Sequence, residues 1–415
     1  MVAPPPGHPR FPHVDALRAI AALSILVLHC SYPTGELNGR IQGPYLNRLE
    51  VGVTLFFLIS GFLLYRPFAA SRLIGARSTR LRDYLRRRLL RIVPGYWLAL
   101  TVLAIWPGLP GVFSGHWWVY YGFAQIYSDS TILNGIGPAW SLCVEMTFYL
   151  VLPLYALGIR AAIGRRSLRA QVRIELVLLT VLAAASVAYR GWVTHHNSIS
   201  PVLHWLPTFV DWFAIGMGFA VLSVALQARD PARPDPAALR LIRRAPWLFW
   251  LGAAVAFWAV SKHVRGPHFV NVFGSAALTF TPEEAIAITL LYGVLSAGVL
   301  APAVFGTDGG GWLRRLLLNP VLQWLGLISY GIYLWHSPIM DEVCGFSSAP
   351  GSVGCTFHGA TSLTHVAFPA LLVIVAGLAV ACAAASYYLV ERPALAFKNG
   401  LPRRVHARQT PVIDG

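Results

Sequence analysis

Long apolar runs recur along this chain from one end to the other, and they limit its fold more than any other feature. Ten can be marked, at residues 16–30, 51–65, 92–106, 140–157, 176–192, 209–226, 248–260, 285–304, 321–340 and 367–390. A segment inside a bilayer must satisfy its own backbone N–H and C=O groups, so runs of this length predict transmembrane α-helices. Composition agrees: 56% of the 415 residues are hydrophobic and only 12% charged, against a charged share of about a quarter in soluble domains. The expected fold is all-α, a polytopic bundle of about ten transmembrane helices in a lipid bilayer.

A formal charge of +16 would invite a nucleic-acid partner in a soluble protein. Here the basic residues fall in short stretches between apolar runs, which assigns them to topology instead. With the N-terminus inside, 28 of the 33 Lys and Arg lie on the cytoplasmic side. The other five, Arg40, Arg48, Arg190, Lys262 and Arg265, lie outside, an asymmetry that orients membrane proteins. A multi-pass protein of the plasma membrane with both termini in the cytoplasm is expected. His8 and Arg10 precede the first run, but no small-residue cleavage site follows it, so it reads as a retained helix. Residues 1–13 and 394–415 read as cytoplasmic tails around one membrane domain, 14–393, with no further soluble domain expected.

Cys30, Cys143 and Cys382 fall in apolar runs and read as small core residues. Cys344 and Cys355 share an outer loop, where a disulfide is open to them in an oxidising compartment. No metal site is expected.

Ionisable residues inside apolar runs are costly and need a partner, a watery cavity or a task. Arg18 and His29 share the first run, about 16 Å apart along a helix axis. Arg88 and Arg91 open the third run on one helical face, as positive anchors or as an anion site. Glu145 lies in WSLCVEMTFY beside Ser141 and Tyr149, as a paired structural carboxylate or a catalytic one. His336, in SYGIYLWHSP, is either a satisfied packing residue or part of a site. Ser60 and Gly61 read as small packing residues, and Glu391 and Arg392 before Pro393 as a helix stop. Helix rise sets His29, His336 and Glu145 at one depth in the outer third of the membrane, in a single polar chamber, with Arg18, Arg88 and Arg91 at the inner edge.

Together the Arg18/His29 spacing, the Arg88/Arg91 pair, FFLISGFL, WSLCVE and SYGIYLWHSP resemble the acyltransferase-3 family of integral membrane O-acyltransferases, over residues from about Val14 to Pro393. The resemblance implies ten transmembrane helices, acyl-CoA (acetyl-CoA foremost) as a cytoplasmic co-substrate, and no permanently bound cofactor. It implies an extracytoplasmic hydroxylated acceptor: surface carbohydrate, cell-wall sugar, lipid or secreted metabolite. Some relatives carry a fused hydrolase-like domain that is not expected here.

On that reading Arg88 and Arg91 hold the phosphates of coenzyme A, Arg18 lines the entrance, and the pantetheine arm brings the thioester to His29 as general base. Glu145 would orient an imidazole or stabilise the imidazolium, and His336 would bind the acceptor or the developing oxyanion. Direct transfer and a covalent acyl-histidine both fit. A proton-coupled transporter is the alternative class, because intramembrane His, Glu and Arg also mark proton paths.

Overall fold

The computed structural model describes residues 11–397 except 78–79, 133, 197–200, 231, 265–280, 307–310 and 345–365. Arg265, Cys355 and most of both expected tails lie outside the described residues. Every regular element among those described is helical. The long ones are α1 (Pro12–Ser31), α2 (Val51–Leu73), α3 (Leu81–Ile105), α4 (Trp140–Ile163), α5 (Leu168–His196) and α6 (Val210–Gln227). They are followed by α7 (Pro246–Lys262), α8 (Pro282–Phe305), α9 (Pro320–Leu327), α10 (Ser329–Val343) and α11 (Phe368–Ser386).

Local chemistry accounts for several of the ends. Pro12, Pro246, Pro282 and Pro320 each open a helix, where a missing N–H costs nothing and the fixed φ helps. Thr281 caps α8 in a capping box with Glu284, and Asn319 Oδ1 accepts from the first N–H groups of α9.

Among the described residues eight helical segments are long and apolar enough to cross a membrane, and the chain is a multi-pass membrane protein. The other two expected spans take different forms. The run at 248–260 becomes α7, a helix of 17 residues. The run at 321–340 is broken at Ile328 into α9 and α10. The break is satisfied locally, because Ser329 Oγ donates to the Gly326 carbonyl at 2.8 Å. Hydropathy reads composition and cannot see such an interruption.

Core and periphery follow from burial. The α2 span is 72% buried, whereas the α5 and α11 spans are only 17% and 22% buried and present Val181, Val373 and Leu389 outward. Apolar side chains in that position suit lipid and not water. At the centre α2 crosses α6 so closely that a Cβ on Gly61 would run into the Phe213 carbonyl, and one on Gly216 into the Leu58 carbonyl. Gly61 is therefore the packing residue the sequence indicates, while its neighbour Ser60 bonds elsewhere.

The arginine-rich connections between α2 and α3, α4 and α5, and α6 and α7 share one end of the bundle, the basic end. The loops joining α1 to α2, α3 to α4 and α5 to α6 lie at the other.

Candidate active site

The two histidines meet. His29, half-buried near the C-terminal end of α1, lies 2.8 Å by Nδ1 from Nε2 of His336, which α10 holds fully buried, and the rings stack at 4.9 Å. His336 Nδ1 is 3.1 Å from the Ile332 carbonyl one turn back. A carbonyl can only accept, so His336 Nδ1 donates and its neutral ring offers Nε2 as acceptor. His29 Nδ1–H must then be the donor, which leaves the lone pair of His29 on Nε2, the nitrogen facing away from the pair. The geometry thus prepares one basic nitrogen on His29.

Glu145 is elsewhere. It lines a cavity with Arg18 of α1, Ser60 of α2, Arg91 of α3 and Tyr330 and Tyr333 of α10. Ser60 and Tyr149 both donate to Oε1, Tyr149 at 2.9 Å. Among the described residues neither imidazole bonds to this carboxylate. The single-depth chamber inferred from helix rise is therefore corrected: His29 and His336 share a level, and Glu145 does not. The cause is the start of α4. Pro138 is not at the membrane edge but buried, accepting from Tyr333 Oη at 2.8 Å, so the helix begins inside the protein and seven residues carry Glu145 deeper. Ser141 lies level with Tyr333 through a 2.8 Å hydroxyl contact, and three residues up α10 and four down α4 put Glu145 about 10 Å below His336.

Arg18 and Arg91 are brought together as neighbouring cations in the cavity lining. Arg88, one turn nearer the basic end, is beside Tyr84 and Tyr149 instead. Nε of Arg18 and of Arg88 is buried without a hydrogen-bond partner among the described residues, so the arginine group is under-satisfied for cations in so apolar a setting. Glu391 belongs to the same region and was legible only as a helix stop. It is 5% exposed on a π-helical turn, Tyr387–Glu391, accepts from Ser386 Oγ at 3.0 Å, and lies against Gly95 within the field of Arg91. The π turn is the element on which this carboxylate is buried, and such turns, rare overall, are frequent at functional sites. Tyr330 and Tyr333 complete the wall, and their signal was the aromatic pattern of SYGIYLWHSP.

The disulfide open to Cys344 has its other half, Cys355, outside the described residues. Cys30 and Cys143 are buried and free, in keeping with a packing role.

A helical membrane protein with a histidine dyad above an arginine-lined cavity combines a basic nitrogen with cations that can hold an anion. The chain matches the family profile described as acyltransferase domain over residues 11–388, and it belongs to the acyltransferase-3 family. It is 23% identical to YrhL of Bacillus subtilis, over 93% of this chain and 55% of that protein. It is 22% identical to the peptidoglycan O-acetyltransferase OatA of Listeria monocytogenes, over 79% of this chain and 49% of OatA. Nodulation protein 10 of Rhizobium leguminosarum is 26% identical, over 94% of this chain and 95% of its own length. The chain thus spans about half the length of the first two. No solved structure matches it.

Proposed function

We propose that this chain is a membrane O-acetyltransferase that takes an acetyl group from acyl-CoA at the basic, cytoplasmic end and passes it to a hydroxyl on an extracytoplasmic or membrane-associated acceptor. The observation that carries this reading is the His29–His336 hydrogen bond above a cavity lined by Arg18 and Arg91. Arg88 and Arg91 meet the phosphates, since guanidinium matches phosphate oxygen in charge and geometry. The pantetheine arm runs past Arg18 and through the cavity, and helix rise from Arg18 to His29 is about 16 Å, a span the extended arm can cover.

At the dyad His29 Nε2 takes the proton of the acceptor hydroxyl, and the oxygen attacks the thioester carbonyl carbon. The C–S bond breaks, and the leaving thiolate recovers that proton. His336 Nε2 accepts from His29 Nδ1 throughout and so steadies the imidazolium, a task that the sequence alone would give to Glu145. Glu145 becomes the counter-charge to Arg18 and Arg91, keeping the route polar. The name of the Listeria relative supports a cell-wall sugar as the acceptor class.

The test is His29→Ala in purified protein reconstituted in lipid. Turnover per folded molecule should fall about 10²- to 10⁴-fold with the affinity for a non-hydrolysable CoA analogue kept. Retained turnover ends the base assignment. Proton-driven flux with no acyl transfer in the wild type would replace the enzyme reading with transport.

A further inference from the structure

A second cavity opens at the basic end of the bundle, between the C-terminal parts of α2 and α4 and the start of α3, and the transfer step makes no use of it. Its wall is polar at one end. Arg72 and Ser71 line it from the last turn of α2, and Arg160 from the last turn of α4. Leu81, the first residue of α3, is in the same wall, and no side chain caps the N–H groups at that helix start.

Two arginines line the cavity, but only one brings charge to it. Arg72 is engaged within the protein: its guanidinium pairs with the buried Glu175 of α5, which also accepts from Tyr65, and it donates to Gln171 Oε1 at 2.9 Å. That pair is a fixed and neutral back wall. Arg160 is exposed and forms no ion pair among the described residues. Arg80, exposed just before Leu81, adds a second positive charge at the start of α3, where the helix dipole is positive as well. The polar end therefore suits an anion.

The other end is apolar. Phe68 lies one turn of α2 deeper than Arg72, and Pro153 lies seven residues of α4 deeper than Arg160, about 10 Å towards the middle of the membrane. Ala156 and Leu157 line the stretch between. Leu157 is 61% exposed, Leu81 is 50% exposed, and Leu154 stands exposed next to Pro153, so the side of the cavity faces the lipid around the bundle. A ligand of matching form has a compact negative head and an apolar tail, and enters sideways from the bilayer. A free phosphate would reach only the polar end, and a nucleotide would lay its polar ring atoms against lipid. An anionic phospholipid meets both ends, because its phosphodiester matches guanidinium and its chain matches the apolar side of α4.

We propose that this cavity binds one anionic phospholipid from the leaflet at the basic end, with the phosphodiester on Arg160 and an acyl chain along Pro153, Ala156 and Leu157. The lipid joins the ends of three helices, so its binding stabilises the folded bundle.

The experiment uses the full chain purified in a neutral detergent, with dioleoylphosphatidylglycerol, dioleoylphosphatidylcholine, glycerol phosphate and acetyl-CoA as probes. Native mass spectrometry counts the lipid retained, and melting temperature reads its effect on the fold. Wild-type protein should keep one phosphatidylglycerol in preference to phosphatidylcholine and melt higher with it. Arg160→Gln should weaken that binding about tenfold or more, as loss of a hydrogen bond between charged groups requires. Arg165→Gln removes a charge from the same end of the bundle but not from the cavity wall, and should leave binding unchanged. Ala156→Trp fills the apolar part without changing charge and should weaken binding too. Should that variant fail to fold, the comparison of Arg160→Gln with Arg165→Gln still decides, since both positions are exposed.

Equal retention of the two lipids overturns the site, as does an equal response of the two glutamine variants. Displacement of the lipid by glycerol phosphate would make this a site for free phosphate, and displacement by acetyl-CoA would make it part of the donor route. Either result overturns the lipid assignment.

Discussion

His336 donates from Nδ1 to a carbonyl that can only accept, and this one constraint passes to His29 through their shared hydrogen bond. A sequence shows two histidines far apart in number. It does not show that one sets the tautomer of the other. Depth from helix rise succeeded for this pair because α1 and α10 lie side by side, and it failed for Glu145 because α4 begins below the loop that caps it. The arginines were legible as a group, since each is an ionisable residue at the edge of an apolar run, but the buried carboxylate in their neighbourhood was not: Glu391 sits on a π turn. At this scale the proposed donor role of the arginines can be tested. Replacing Arg88 and Arg91 together by Ala should weaken acyl-CoA binding by about 1.5 to 3 kcal/mol for each charge-assisted hydrogen bond removed, measured by calorimetry with a CoA analogue, while the protein still inserts. Unchanged affinity would reduce both to topology anchors.

Elements meet where side chains are smallest. The α2–α6 crossing places Ser60 and the Phe57 ring against the central cavity, so the close approach at Gly61 and Gly216 sets the shape of the site as well as the stability of the bundle. Gly216→Val should force the helices apart and cost about 1 to 3 kcal/mol, as overpacking does, read as a lower melting temperature in detergent. Gly218→Ala is the control: it lies two residues on, and its Cβ would meet only a Leu176 methyl at 3.7 Å. Equal melting of the two variants would show that the crossing is not tight. The break at Ile328 has a similar consequence for the site. It lets α10 start a fresh direction, with Tyr330 and Tyr333 on the cavity and His336 above them.

For the whole molecule the charge asymmetry predicts topology. Epitope tags at either terminus, or in the α2–α3 connection at Arg77, should be protected in intact cells and become accessible only after permeabilisation. A C-terminal tag accessible from outside would break the even count of crossings and force α7 or the α9–α10 pair out of the membrane. The sequence by itself determined that the chain is an all-helical membrane bundle and which rare ionisable residues interrupt its apolar runs, because hydropathy and charge act locally and along one dimension. Only the tertiary structure decided which of those residues face each other. Partnership depends on where helices start, break and cross, and shifts of a turn, about 5.4 Å, separate a bonded pair such as His29 and His336 from a carboxylate that bonds elsewhere.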